Sequence, residues 1–371
     1  MPYGTVNADV IQSSVANTSL GAGNSSIMKN RIINGAMMID QRNAGGSVTA
    51  TGAAFYTLDR WYTNFSQNSK YTIQQNAGAI TPPIGFSNYL GATSLSAYSV
   101  SSGDYFFLEQ SIEGFNFADL NFGTVNAKTV TLSFKVYSSL TGTFGGALVN
   151  SAQNRSYPFT YSISAANTWT TVSVTIAGDT TGTWIGATNG TGCRLRISLG
   201  AGSSFSGTSG SWAAANYVSA TGATSIVGTN AATFYITGVQ LEVGSSATGY
   251  DYRQYQQELA LCQRYFTMSF SQGTAPAQNA GTTGAITAEG QAASSPAYAY
   301  APFKITMRAS PTITTYNPSA ANANWRNTTA GSDINVAVSN TGDSGTFIGS
   351  NTQVLNQYAI CAIHYTASAE L

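Results

Sequence analysis

Period two is the feature that most constrains this chain. In Val130-Thr131-Leu132-Ser133-Phe134-Lys135-Val136 four apolar side chains fall on one face of an extended strand, with Thr, Ser and Lys on the other. Val172, Val174 and Ile176 repeat the pattern, as do Cys193, Leu195, Ile197 and Leu199, with Arg194 and Arg196 turned outward. Between these runs lie Thr141-Gly142, Gly145-Gly146, Gly178-Asp179, Asn189-Gly190 and Ala201-Gly202, pairs that form turns. Half-buried strands recurring between turns bury their apolar faces most simply as a jelly-roll-like antiparallel β-sandwich. The expected fold class is mainly β.

A chain of 371 residues is long for one domain of about 100–200, so two folded units are expected. Residues 1–29 are Ser, Thr, Asn, Ala and Gly without sustained periodicity, which predicts an extended arm that orders against a partner. Asn34-Gly35 parts two short apolar runs and predicts a hairpin opening the first domain, residues 30–245. Within the segment 246–267, Tyr255, Leu259, Cys262 and Phe266 are spaced four, three and four, which predicts a short connecting helix with an a/d-like stripe. That stripe packs either on its own chain or in a seam between identical chains. Residues 268–371 read as a distal β-sandwich. Phe303, Ile305 and Met307 alternate between Pro302 and Pro311 as an edge strand would, and Tyr358–Tyr365 is apolar on both faces, as a strand between two layers is.

Composition narrows the function. Charged residues make up 8% of the chain, against a usual ~25%, and 15 basic side chains balance 15 acidic ones. An electrostatic nucleic-acid binder needs clustered Lys and Arg and is excluded. Disorder is disfavoured by 21 Tyr, 17 Phe and 5 Trp. Cys193, Cys262 and Cys361 are too few and too far apart for a disulfide framework or an all-cysteine zinc site, and a lone His364 excludes sites built on several histidines. No metal or cofactor is expected. The start of the chain lacks the basic and apolar regions of a standard secretion signal, and no run of about 18 apolar residues predicts membrane insertion.

Three separated stretches resemble bacteriophage tail-fibre and related virion appendage proteins. Asn30-Arg31-Ile32-Ile33-Asn34-Gly35, Met38-Ile39-Asp40-Gln41-Arg42-Asn43 and Tyr56-Thr57-Leu58-Asp59-Arg60-Trp61 are similar to the start of their carbohydrate-binding-module-like sandwich. The run from Phe234 to Gly244, with Ala247-Thr248 and Glu258–Phe266, resembles the strand that closes that sandwich and the helix that follows it. Phe303–Pro311 and Ala369-Glu370-Leu371 resemble the distal domain. The resemblance implies a non-enzymatic, homotrimeric virion protein. Its N-terminal arm would bind another phage protein and its distal domain a host-surface glycan or protein.

Candidate sites follow from residue chemistry. Trp325 and Arg326, with Asn324 in the polar loop before them, offer an aromatic face, a guanidinium fork and an amide to a neutral or mildly acidic glycan. Trp184 and Trp212 sit in turn-like surroundings where an exposed indole would be a binding platform. Tyr255, Leu259, Cys262 and Phe266 are the expected trimer interface. Asp59-Arg60-Trp61 is either a sugar-binding trio or, preferably, an internal ion pair beside a core Trp. His364, amid Ile360, Cys361 and Ile363, is expected to be a satisfied core or interface imidazole. Glu109 and Glu113 lie about 13 Å apart if extended, beyond the ~5–9.5 Å of glycosidase carboxylate pairs, so no catalytic residue is expected.

The function expected is thus adhesion by a tail fibre located on the virion and made in the host cytoplasm. One alternative is a capsid decoration or head fibre. Another is a glycan depolymerase tailspike using carboxylates such as Glu109, Glu113, Asp104 or Asp179.

Overall fold

The computed structural model describes residues 28–291, 296–350 and 356–371. The arm expected over 1–29 lies outside the described residues, its last two excepted. Among the described residues, the first unit is two six-stranded sheets. One runs in the order β1 (Val48–Thr49), β4 (Tyr71–Gln75), β5 (Leu90–Ser94), β14 (Thr233–Val243), β7 (Val130–Ser138), β10 (Thr170–Ile176). The other runs β2 (Phe55–Leu58), β3 (Trp61–Phe65), β6 (Tyr105–Glu113), β11 (Thr191–Ala201), β8 (Gly142–Asn150), β9 (Ser156–Ile163). The chain crosses repeatedly between the sheets, entering as the pairs β2-β3, β4-β5 and β8-β9 and as single strands elsewhere, in a jelly-roll-like sandwich whose inward faces meet in one core that includes Trp61, Phe106, Leu132, Phe134, Leu195 and Ile236.

The alternation read from the sequence is the alternation observed. Leu132, Phe134 and Val136 of β7 are buried, and Cys193, Leu195, Ile197 and Leu199 of β11 point into the same core. The Asn34-Gly35 turn, by contrast, joins no paired strands. Asn34 instead takes a positive φ of 56° and uses its own amide: Nδ2 donates to the carbonyls of Ile39 and Asp59, and Oδ1 accepts from the Ile39 N–H. A side chain able to satisfy the backbone itself removes the need for a ladder.

Helix α1 (Tyr255–Gln263) connects the units. Its stripe is covered by its own chain: Leu259 and Cys262 pack with Ile33, Ile39 and Tyr265. Phe266 is buried at the start of β15 (Phe266–Met268), and Tyr255 is exposed. Of the four residues expected in an interchain seam, Leu259, Cys262 and Phe266 are thus buried within their own chain, and Tyr255 alone stays exposed.

In the distal unit β23 (Ile360–Ser368) is the shared centre. It pairs with β15, β16 (Ile286–Glu289), β18 (Thr312–Tyr316) and β19 (Trp325–Asn327), and β19 pairs with β20 (Ser332–Ile334). Facing it is a sheet of β17 (Tyr298–Pro302), β22 (Gly345–Ser350) and β21 (Val336–Ser339). Residues 361–367 of β23 are all buried, as expected of a strand between layers, but Tyr358 and Ile360, counted in the same run, are exposed. His364 is satisfied there: Nδ1 bonds Ser269 Oγ at 2.9 Å, Nε2 the Gly281 carbonyl at 3.0 Å, and the ring stacks on Phe270. Residues Phe303–Met307 form no edge strand. They run irregularly, with Phe303 and Met307 anchored in the core and Ile305 exposed.

The units meet in a polar seam. Glu370 accepts from Arg42 and Arg60, whose guanidinium groups lie 3.9 Å over Phe266 and 3.6 Å over Tyr265. Arg264 clasps Glu113 with two bonds of 2.7 and 3.0 Å, and the Tyr265 hydroxyl donates to the same carboxylate. Arg308 crosses as well, Nη1 donating to the Asn189 carbonyl at 2.8 Å and the Asn189 amide donating back to the Arg308 carbonyl at 2.9 Å. Asp59 and Arg60 do not pair with each other as expected: Asp59 accepts from the backbone and side-chain amides of Gln41, while Trp61 is the core residue foreseen.

Candidate functional site

The outward face of the second sheet carries the most concentrated chemistry. Period-two geometry turns Tyr105, Phe107 and Glu109 of β6 away from the core, since Phe106 and Leu108 point into it. Register then places Glu109 directly opposite both Tyr62 of β3 and Arg196 of β11. Arg196 Nε donates to Glu109 Oε2 at 2.7 Å and Arg194 Nη1 to Oε1 at 2.7 Å. The rest of the Arg196 fork is spread across the site, Nη1 to Asn216 Oδ1 at 2.6 Å and Nη2 to Gln153 Oε1 at 2.5 Å. Its guanidinium lies 4.8 Å from the Phe107 ring centre. Burial, then the Glu109 charge beside it, pushes the Tyr62 phenol above its ordinary pKa.

A wall completes the groove. The segment 203–220 folds over β8 and β9: Ser156 and Ala213 exchange backbone hydrogen bonds, and Ser156 Oγ donates to the Ala215 carbonyl. Two short parallel strands, β12 (Ser206–Gly207) and β13 (Ser219–Ala220), stiffen it. Gly145 lets the wall approach, because a Cβ there would meet Ser219 Oγ at 2.4 Å. Phe205 comes edge-on to Tyr105 at 4.9 Å. The resulting groove, about 180 Å³, is lined by Asn64, Tyr105, Phe107, Gln153, Arg196, Phe205, Asn216 and Val218. Rings and fixed amides side by side can stack on an apolar ligand face and hydrogen-bond its hydroxyls.

The structure rearranges the sites expected from sequence. Trp325 is wholly buried at the centre of the distal core, its Nε1 donating to the Gly349 carbonyl at 3.0 Å, so its ring is no contact surface. Arg326 pairs with Asp333, which also accepts from Asn322, and the Asn324 N–H donates to Asn322 Oδ1. Trp184 and Trp212, each half-buried, come together 5.5 Å apart and edge-to-face over the buried rings of Phe117, Phe122 and Tyr157. They are packing residues rather than free platforms: Trp184 Nε1 donates to Asp179 and Trp212 Nε1 to the Ala177 carbonyl.

The carboxylates are engaged separately. Burial raises the Asp179 pKa, but hydrogen bonds from Arg155, Trp184 and Thr181 outweigh it and hold the carboxyl below its ordinary value. Asp104 accepts from Ser66, Tyr98 and the Ser101 N–H. Glu109 is tied into the groove and Glu113 into the seam. Among the described residues no three His, Cys, Asp or Glu are grouped to hold a metal ion. Alternation alone marks Arg194 and Arg196 as outward residues but not the groove, because the register that sets them against Glu109 spans more than 80 residues.

No family model matches the chain, and no curated protein matches it. Solved structures similar to part of it include a candidate sugar-binding protein from Bacteroides thetaiotaomicron, 13% identical, with a TM-score of 0.34, covering 58% of this chain and 100% of its own. A carbohydrate-binding module in complex with β-1,4-galactotriose is 8% identical, with a TM-score of 0.30 over 58% of this chain and 99% of its own. A family 11 carbohydrate-binding module from Clostridium thermocellum, in complex with a mixed-linked tetrasaccharide, is 9% identical with a TM-score of 0.26, covering 54% of this chain and 100% of its own.

Proposed function

We propose that the chain is a glycan-adhesion protein of a bacteriophage virion, a tail fibre whose sandwich groove holds a host-surface sugar. One observation carries the binding reading: Tyr105, Phe107 and Phe205 share a groove with the Arg196 guanidinium and the amides of Asn64, Gln153 and Asn216. Sugar rings present apolar C–H faces and hydroxyl edges at once, so a site for them needs π faces beside donors and acceptors held in place. The groove has both. The ion-pair cluster behind it, two arginines around one glutamate, leaves a net charge of +1, which suits a neutral or mildly acidic saccharide.

The virion placement and a trimeric state rest on the sequence stretches that resemble tail-fibre proteins. Light scattering on the whole chain tests the trimer, and cryo-EM of the particle tests the tail location. Binding is tested by calorimetric titration of oligosaccharides from the host envelope. Tyr105→Ala, which removes a half-exposed groove ring, is expected to weaken affinity about ten-fold, or about 1.4 kcal/mol. Unchanged affinity in that variant overturns the groove as the site.

A further inference from the structure

The distal unit carries a second aromatic surface, on the three-stranded sheet. Ala299, Ala301 and Ile348 face the distal core, so alternation turns Tyr298, Tyr300 and Phe347 to the other side. Tyr298 and Tyr300 are 54% and 51% exposed. Their rings lie down on the sheet rather than standing off it, and two glycines make this possible. Tyr298 is paired across the ladder with Gly349, where a Cβ would come within 2.8 Å of the Tyr298 ring. A Cβ at Gly345 would come within 2.3 Å of the Tyr300 hydroxyl. Phe347 sits between them, 5.2 Å from Tyr298 at an interplanar angle of 28° and 5.0 Å from Tyr300.

We infer that this face is a second glycan site, a platform for the pyranose rings of a neutral polysaccharide. Rings laid flat on glycine present their π faces outward, the orientation that stacks on a sugar's C–H face. The three strands Tyr-Ala-Tyr-Ala-Pro, Val-Ala-Val-Ser and Gly-Thr-Phe-Ile-Gly-Ser contain no charged residue, so the face matches an uncharged ligand and offers nothing to an anionic one. Neither phenol makes a hydrogen bond among the described residues, which leaves both hydroxyls for sugar hydroxyls. The site goes beyond the groove, shares with it only the reading that the chain binds glycan, and gives each chain two points of attachment, hence avidity on a repeating polymer.

The test uses the full chain on an array of neutral and anionic bacterial polysaccharides, with its mass followed by light scattering. Three proteins are compared: wild type, Tyr298→Ser/Tyr300→Ser, and Tyr105→Ala. The double variant is expected to lose about ten-fold in apparent affinity for neutral polymers, with its mass and thermal midpoint unchanged. Tyr298→Phe/Tyr300→Phe, which keeps the rings, is expected to retain most of the binding. Neutral-polymer binding that survives in the double variant but vanishes in Tyr105→Ala overturns the platform and leaves the groove. The converse overturns the groove alone, and a wild type that binds no glycan overturns both. A double variant that loses mass rather than glycan binding overturns the inference in favour of a second copy of the chain on this face.

Discussion

Two clusters in this molecule have the same charge arithmetic, two arginines around one glutamate, and opposite surroundings. In the groove, Arg194 and Arg196 hold Glu109 under an open wall, and the Arg194 side chain keeps 18% of its exposure. In the seam, Arg42 and Arg60 hold Glu370 between the two units, with aromatic rings closing over both guanidinium groups. A buried pair is costly to break but contributes little net stability when intact, so what a cluster does depends on what covers it. The seam fixes one unit against the other. The groove keeps polar groups in place where a ligand can reach them.

Glu370→Ala is the harshest way to break the comparison. It takes the carboxylate from the buried Arg60, which keeps the Ser111 carbonyl, and from the partly buried Arg42, and a loss of about 3–5 kcal/mol is expected in equilibrium denaturant unfolding. A loss under about 1 kcal/mol would mean that the seam is not an anchor. Glu109→Ala removes the equivalent groove partner, but Arg196 keeps Asn216 and Gln153, and Arg194 keeps Ser111 and some water. The expected cost is smaller, about 1.5–3 kcal/mol, and sugar binding in calorimetry should fall with it. A third variant, Asn216→Ala, takes one acceptor from Arg196. About 1 kcal/mol of stability should be lost, with a several-fold drop in sugar affinity in the same titration.

The gentlest probe is proton concentration. Burial pushes the Asp59 carboxyl beside the seam from 3.8 up to about 6, against the lowering pull of Arg42 and the two Gln41 hydrogen bonds. The folded chain therefore holds this proton more tightly than the unfolded one. Its contribution to stability is complete below about pH 4 and is lost as pH rises through about 6. Midpoints measured from pH 4 to 7 should decline less steeply in Asp59→Asn than in wild type. Equal slopes would place Asp59 outside the linkage.

Local pattern carried much of this molecule into view. The period-two runs at 130–136, 172–176 and 193–199 are strands β7, β10 and β11 with the faces foreseen, and Tyr255, Leu259 and Cys262 mark the helix, which ends at Gln263 so that Phe266 begins a strand instead. Trp325 misled because a polar loop precedes it: the chain enters β19 at that residue and the ring goes inward. The stripe of Leu259 and Cys262 misled because an apolar helix face does not say which surface will cover it, and here the covering surface comes from residues 33–39, more than 200 positions earlier.

The sequence by itself determined which side chains share a strand face, because that depends only on alternation between neighbours, and with it the outward direction of Arg194 and Arg196. Tertiary structure alone decided that Glu109 lies between those arginines, that Glu370 closes the seam, and that a wall from 203–220 turns an open sheet face into a groove. Those contacts join positions tens to hundreds of residues apart. Their register is set by the packing of the whole sandwich rather than by any local preference.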